Sequence, residues 1–195
     1  MPRSEIPVSG EEVGAEFLTW LWHAGESGEE SDGPSGPVRF QLGQLVKLKA
    51  PDGSGAEVTL KGEFVSTAPE LFSALHRGAL IHSSKVQVDL NGTVLIANLK
   101  APSLTLSGVK LPKDEAKDTG LVVEQGEKAG AEAEADRSRV EDEARLLTRM
   151  GLLDQAQDAL DAAFKDFLEL RGGKAYEGWR KTFDAWVKAN VKEAR

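Results

Sequence analysis

Along this chain the spacing of apolar residues changes period several times, and each change predicts an element. Val13, Phe17, Trp20, Leu21 and Ala24 recur at helical spacing behind Ser9-Gly10-Glu11-Glu12. That opening has the form of a capping box, in which Ser9 accepts from the amide three residues on and Glu12 reaches back. The pattern predicts a helix from about Ser9 to His23. Its segment Phe17-Leu18-Thr19-Trp20-Leu21-Trp22 is apolar on nearly every side, so it needs cover on two faces or a partner. Gly25 to Pro37, rich in Gly, Ser, Pro and Glu, reads as a mobile loop.

From Val38 the period becomes two. Val38, Phe40 and Leu42, then Val46 and Leu48, then Val58 and Leu60 alternate with polar residues. Pro51-Asp52-Gly53-Ser54-Gly55 supplies a turn, and the stretch to Gly62 reads as a meander of three short antiparallel strands. Thr67-Ala68-Pro69-Glu70 repeats the capping-box form, and Leu71, Phe72 and Leu75 then predict a short helix stopped at Gly78. Leu80–Leu90 and Thr93–Lys100 flank Asn91-Gly92, the strongest hairpin signal in the chain, a type I′ turn. Val86, Val88 and Leu90 share one face of the first strand, and Val94 and Ile96 one face of the second. Ser103 to Val109 predicts a further strand, Leu104 and Leu106 inward.

Residues 113–136 hold eight acids, three bases and one apolar island, Leu121-Val122-Val123. This composition is that of a solvated linker. From Arg139 the period is helical again, with Val140, Ala144, Leu147, Leu153, Ala156, Leu160, Ala163, Phe164, Phe167 and Leu168 in a stripe whose register breaks near Gly151. Beyond Gly172-Gly173, Tyr176, Trp179, Phe183, Trp186, Val187 and Val191 predict a last helix and hence an αα-hairpin. The expected fold is therefore α+β: an antiparallel sheet of five to six strands, packed by the Trp-rich N-terminal helix and the C-terminal αα-hairpin. The expected organisation is a sheet domain over 1–112, an acidic flexible linker over 113–136 and a helical hairpin over 137–195.

Composition narrows the chemistry. The 195 residues include no Cys, which excludes a disulfide framework, a thiolate metal site and a Cys nucleophile. No apolar run approaches the ~18 residues a membrane span requires, and the first residues lack a signal-peptide core. A cytoplasmic protein without a membrane partner is the expectation. His23, His76 and His82 show no metal-ligand spacing, and Ser83-Ser84 lies in no nucleophile elbow. No phosphate-cradling Gly motif is present. No metal, no cofactor and no enzymatic activity are expected.

The net charge of −8 hides an alternation, with balances of −7 over 1–37, +3 over 38–111, −8 over 112–170 and +4 over 171–195. Lys47 and Lys49, two apart on a strand, share a face, and Lys61 ends the next strand. Arg180, Lys181 and Lys188 make a basic flank on the last helix. These six are the candidate nucleic-acid-binding residues. Both sets also fit a bland role, the first as the polar side of a sheet, the second as a complement to the acidic helix before it. Phe17, Trp20, Trp22, Trp179 and Trp186 are the candidate interface residues. Trp20 and Trp22 lie about 200° apart around a helix, so a sheet takes only one of them. The other meets the hairpin or a second copy; a homodimer is the expectation and cover by the hairpin the alternative.

Two segments carry a resemblance. Glu16-Phe17-Leu18-Thr19-Trp20-Leu21-Trp22 and Leu104-Thr105-Leu106-Ser107-Gly108-Val109-Lys110-Leu111-Pro112 look like segments of the C-terminal part of RdgC-like, recombination-associated bacterial proteins. The order of elements is similar too, and the N-terminal region of that family has no counterpart in this sequence. The resemblance implies a non-enzymatic DNA-associated protein that modulates recombination. Its alternative is a protein-interaction or assembly module that uses the aromatic helices and binds no nucleic acid.

Overall fold

The structure is a computed structural model that describes residues 9–33, 36–50, 55–111 and 131–193 (for 32–33, 131–138, 141–142 and 192–193, the backbone alone). Its elements run α1 (Gly10–Glu26), β1 (Ser31–Gly33), β2 (Gly36–Lys49), β3 (Glu57–Lys61), a single 3-10 turn at Val65–Thr67, α2 (Pro69–His76), β4 (Leu80–Leu90), β5 (Thr93–Lys100), β6 (Ser107–Lys110), α3 (Ala131–Gly172) and α4 (Ala175–Glu193). The six strands form one antiparallel sheet in the order β1-β2-β4-β5-β6, with β3 beside the far half of β2. The α+β architecture with its aromatic N-terminal helix and C-terminal helix pair is the one the periodicity predicts.

Local chemistry explains the agreements. The Glu12 amide donates to Ser9 Oγ at 3.2 Å, half of the capping box. Asn91 and Gly92 both take positive φ, 54° and 94°, as a type I′ hairpin requires. Val86, Val88 and Leu90 point into the core from β4.

Several expectations need correction. The two short strands expected between Val38 and Leu48 are one strand, β2, whose pairing with β4 is interrupted by a bulge between Leu42 and Val46. Gly43 lies in that bulge, and a Cβ there would sit 2.7 Å from the Lys85 carbonyl oxygen, so the residue that interrupts the alternation is the one that lets the strands pass. The loop expected over Gly25–Pro37 contains the end of α1 and all of β1. Thr67 does not cap α2: the cap residue is Ala68, no side chain bonds there, and Thr67 Oγ1 donates instead to the Phe64 carbonyl. On β5 the core side is Leu95, Ala97 and Leu99, while Val94 and Ile96 lie half-buried on the other side. β6 starts only at Ser107, although Leu106 is buried as expected. The helix expected from Arg139 already begins at Ala131, inside the range read as linker. The Pro51–Ser54 part of the turn and residues 113–130 of the linker lie outside the described residues.

The core is built around α1. Towards the sheet, Leu18 and Leu21 are buried, and two glycines allow close approach. A Cβ on Gly14 would lie 3.0 Å from Ala101 Cβ, and one on Gly25 only 2.2 Å from the Phe40 carbonyl oxygen. Thr19 Oγ1 donates to the Ala15 carbonyl at 2.9 Å and accepts the Ile81 amide at 3.0 Å, which pins α1 to β4. Phe17 and Trp20 turn to α3: Phe17 lies 5.0 Å from Phe164 and 5.6 Å from Phe167, and Trp20 5.7 Å from Phe167. Trp22 turns instead to α2 and α4, 5.8 Å from Phe72 and 5.2 Å from Trp186. The helix pair thus straddles α1, and Glu16 closes the far end by accepting from Arg171 Nε at 2.6 Å.

Candidate nucleic-acid interface

The side of the sheet away from α1 is open, and strand register decides which side chains share it. Lys47 faces opposite Val46, which is fully buried. Lys47 and Lys100 both flank Ser83, from β2 and β5, so they stand two strands or about 10 Å apart. Thr59 continues the row on β3. Two residues along, Lys85 pairs with Asn98, which pairs with Ser107. Lys61 opposes Leu45 on the same side, and Lys110 opposes Ile96. A hollow of about 490 Å³ lined by Gln44, Leu45, Lys61, Glu63, Lys85 and Asn98 joins the β3 end to the centre of the face.

Five lysines on five strands therefore share one surface: Lys47, Lys61, Lys85, Lys100 and Lys110. None of them makes an ion pair among the described residues. Between them stand uncharged polar groups, Ser83, Asn98, Gln41 and Gln87. The acids of the face lie at its margins: Glu57 and Glu63 by β3, and Asp89 by the hairpin, where its carboxylate accepts the Gly92 amide. Arg39 completes the cations but is bound to Glu30.

Of the six sequence candidates, Lys47 and Lys61 belong to this surface. Lys49 does not serve it, because its Nζ is held by Glu11 at the start of α1. That pairing holds the Glu11 carboxyl below the usual range, first through the hydrogen bond from Lys49 and then through its charge. Behind the pair, His82 Nδ1 lies buried 3.6 Å from Glu11, and burial together with Lys49 lowers the His82 pKa. Ser84 Oγ lies within hydrogen-bond distance of the Leu45 and Lys85 carbonyls, not of His82. Lys85, at the start of its strand, was legible in the sequence as part of the same row; Lys100 and Lys110 were missed. Their common signal was available: each falls on the polar phase of its strand, but only register shows that the phases coincide.

The helix candidates lie elsewhere, with the sheet between. Arg180 and Lys188 line a cleft of about 360 Å³ between α4 and the end of α2, together with His76, Arg77 and Asp184. Lys181 is exposed outside that cleft. Asp184 falls one turn from each of Arg180 and Lys188 and offsets them. On the sheet face, Lys47, Lys85 and Lys100 have no acid between them, and Glu63 stands only at the Lys61 end of the hollow, so this face is the stronger anion surface.

The aromatic candidates are packed within the subunit. Phe17 and Trp22 are fully buried, and Trp20, Trp179 and Trp186 are partly buried against the core. The hairpin supplies the cover that pairing through α1 was expected to supply, so the argument for a dimer through that helix falls away. Among the described residues there is no cluster of three metal-ligating side chains, and no helix is long and apolar enough to cross a membrane. Compared with known proteins, the chain matches no family model and no curated protein sequence.

Proposed function

We propose that this protein is a non-enzymatic DNA-associated protein that holds the phosphate backbone on the open face of its sheet. The observation that carries the reading is the set Lys47, Lys61, Lys85, Lys100 and Lys110, spread over five strands without ion-pair partners among the described residues. Along Lys61, Lys47, Lys85 and Lys100 neighbouring lysines stand about 8–10 Å apart by strand geometry, a spacing that suits successive phosphates, and Lys110 lies about 12 Å beyond Lys85. Among the described residues no aromatic side chain stands between the paired lysine rows, and the exposed Phe64 lies at their β3 margin. Contacts of this kind position a backbone without reading sequence. The reading agrees with what the RdgC-like resemblance implies, a DNA-associated protein that modulates recombination.

Fluorescence anisotropy with labelled duplex and single-stranded oligonucleotides of unrelated sequence tests it. Binding at ~50 mM salt should be independent of sequence and fall steeply towards ~200 mM. Lys47→Glu with Lys85→Glu and Lys100→Glu should weaken binding and reduce the salt slope by about 2–3, roughly one unit per lost phosphate contact. Absence of duplex binding by the unaltered protein at ~50 mM salt sinks the proposal.

A further inference from the structure

The apolar stripe of α3 changes side near Gly151. Beyond it, Ala156, Ala159, Leu160, Ala163 and Phe167 are buried on one face, against the rest of the core. Before it, Val140, Ala144, Leu147 and Gly151 follow i, i+4, i+7 and i+11. At about 100° per residue, that second row points roughly 150° away from the first. It is therefore turned off the body of the subunit. Val140 is 51% exposed and Leu147 68%; Met150, 53% exposed, flanks the row on the side towards Val109 and Leu111, and Leu146, 57% exposed, lies about 130° around the helix from it. Every residue from Arg145 to Met150 is exposed. Val140, Leu147 and Met150 together expose an apolar patch on the order of 300 Å², a size at which such patches are often functional. The row has the spacing of a helix-pairing seam.

The charge pattern says what kind of helix fits. In the sequence, residues 131–143 carry six acids and two bases, whereas 144–153 carry two arginines and no acid. A copy of the same segment laid antiparallel sets each acid-rich stretch beside the other's arginine stretch. A parallel copy sets like beside like, which costs rather than contributes. Antiparallel pairing is also isologous, so one contact covers the row on both subunits at once. An overlap from residue 131 to 156 runs for about 39 Å and buries on the order of 1,200 Å² in total, the lower end of the range for stable interfaces.

We propose that the N-terminal half of α3 is a self-association surface, pairing antiparallel with a second copy so that Val140 of each subunit packs on Leu147 of the other. Light scattering over a hundred-fold dilution should show a species of twice 21.0 kDa that dissociates at low concentration. Val140→Glu with Leu147→Glu should give a folded 21.0 kDa protein with unchanged helical circular dichroism, since both positions are exposed within the subunit. The chain has no Cys of its own, so single cysteines report orientation. A mixture of the Val140→Cys and Leu147→Cys proteins should cross-link on oxidation, and Val140→Cys alone should not. Equal cross-linking by Val140→Cys alone overturns the antiparallel arrangement. A 21.0 kDa species at every concentration overturns the pairing itself. If Leu147→Glu then also lowers the melting temperature, the row is covered within the subunit by another segment of the chain.

Discussion

Trp22→Ala measures whether α1 is the centre of the core. The ring is fully buried and lies 5.2 Å from Trp186, 5.8 Å from Phe72 and 6.4 Å from Phe183, so it joins α1 to both α2 and α4. Truncation to Ala leaves a void of about 140 Å³, and at ~24 cal/mol per Å³ an unrelaxed void of that size costs about 3.4 kcal/mol. Lost transfer free energy adds to this and local collapse subtracts, which leaves the expected cost near 3–5 kcal/mol. Against the 5–15 kcal/mol typical of a domain, that is a large share. Urea unfolding followed by far-ultraviolet circular dichroism is the suitable assay, because the substitution removes a fluorophore. The midpoint should fall by about 1–2 M. Trp186→Ala provides the comparison: its ring touches the same cluster but is only partly buried, so it starts partly in water and should cost less, about 1.5–3 kcal/mol. A cost below about 1 kcal/mol for Trp22→Ala, or a larger cost for Trp186→Ala, refutes the account of α1 as the straddled helix.

Gly25→Ala should destabilise by about 1–2 kcal/mol although Ala is the better helix former, because the added Cβ meets the fixed Phe40 carbonyl oxygen at 2.2 Å; a stabilised variant in the same urea titration would mean that α1 does not approach β2 so closely. His23 packs edge-on among Trp179, Phe183 and Trp186, and burial lowers its pKa, opposed in part by Glu29. The unfolded chain, titrating near the ordinary value of about 6.5, then binds its proton first, so His23 costs stability as pH falls through that value and nothing well above it. Comparing the unaltered protein with His23→Gln at pH 7.5 and 5.5 isolates this effect, since His82 and Glu26 titrate alike in both. The advantage of the unaltered protein should shrink at pH 5.5, and a constant difference would show that His23 carries no shift.

What the sequence revealed, and what it hid, divides by range. The Ser9 cap, the Asn91-Gly92 turn and the helical stripes are decided within a few residues, and they were legible. β1 was not. Ser31, Asp32 and Gly33 have no apolar alternation, and they form a strand because Val38, Pro37 and Gly36 offer a free edge opposite them. Gly43 misled for a related reason: a glycine that breaks alternation reads as a strand end, while here it lets β2 bulge past Lys85 and continue. The lysines show the same limit at the candidate site. Lys47 and Lys49 share a phase, and nothing local distinguishes them. Glu11, 38 residues away, claims one and leaves the other on the open face. Phe17-Leu18-Thr19-Trp20-Leu21-Trp22 did announce two-sided burial, but whether a hairpin or a second copy supplied the other side depended on where Phe167 and Trp186 came to lie.

The two proposed surfaces share no residue and differ in physical origin, which makes them separable by experiment. The lysine face looks away from α1, and the α3 row looks away from the buried side of its own helix. Pairing through α3 uses none of the five lysines. Phosphate contacts weaken because added salt reduces the entropy gained when bound counterions are released, whereas an apolar seam keeps most of its strength. A dimer with two lysine faces engages a long duplex twice, and the second contact is made at high effective concentration. Val140→Glu with Leu147→Glu should then reduce affinity for a long duplex more than for one short enough to occupy a single face. Lys47→Glu with Lys85→Glu and Lys100→Glu should weaken both equally and leave the mass of the protein in solution unchanged. If the α3 variant weakens binding to the short duplex just as much, the α3 row contacts DNA directly, and the division of labour between the two surfaces is wrong.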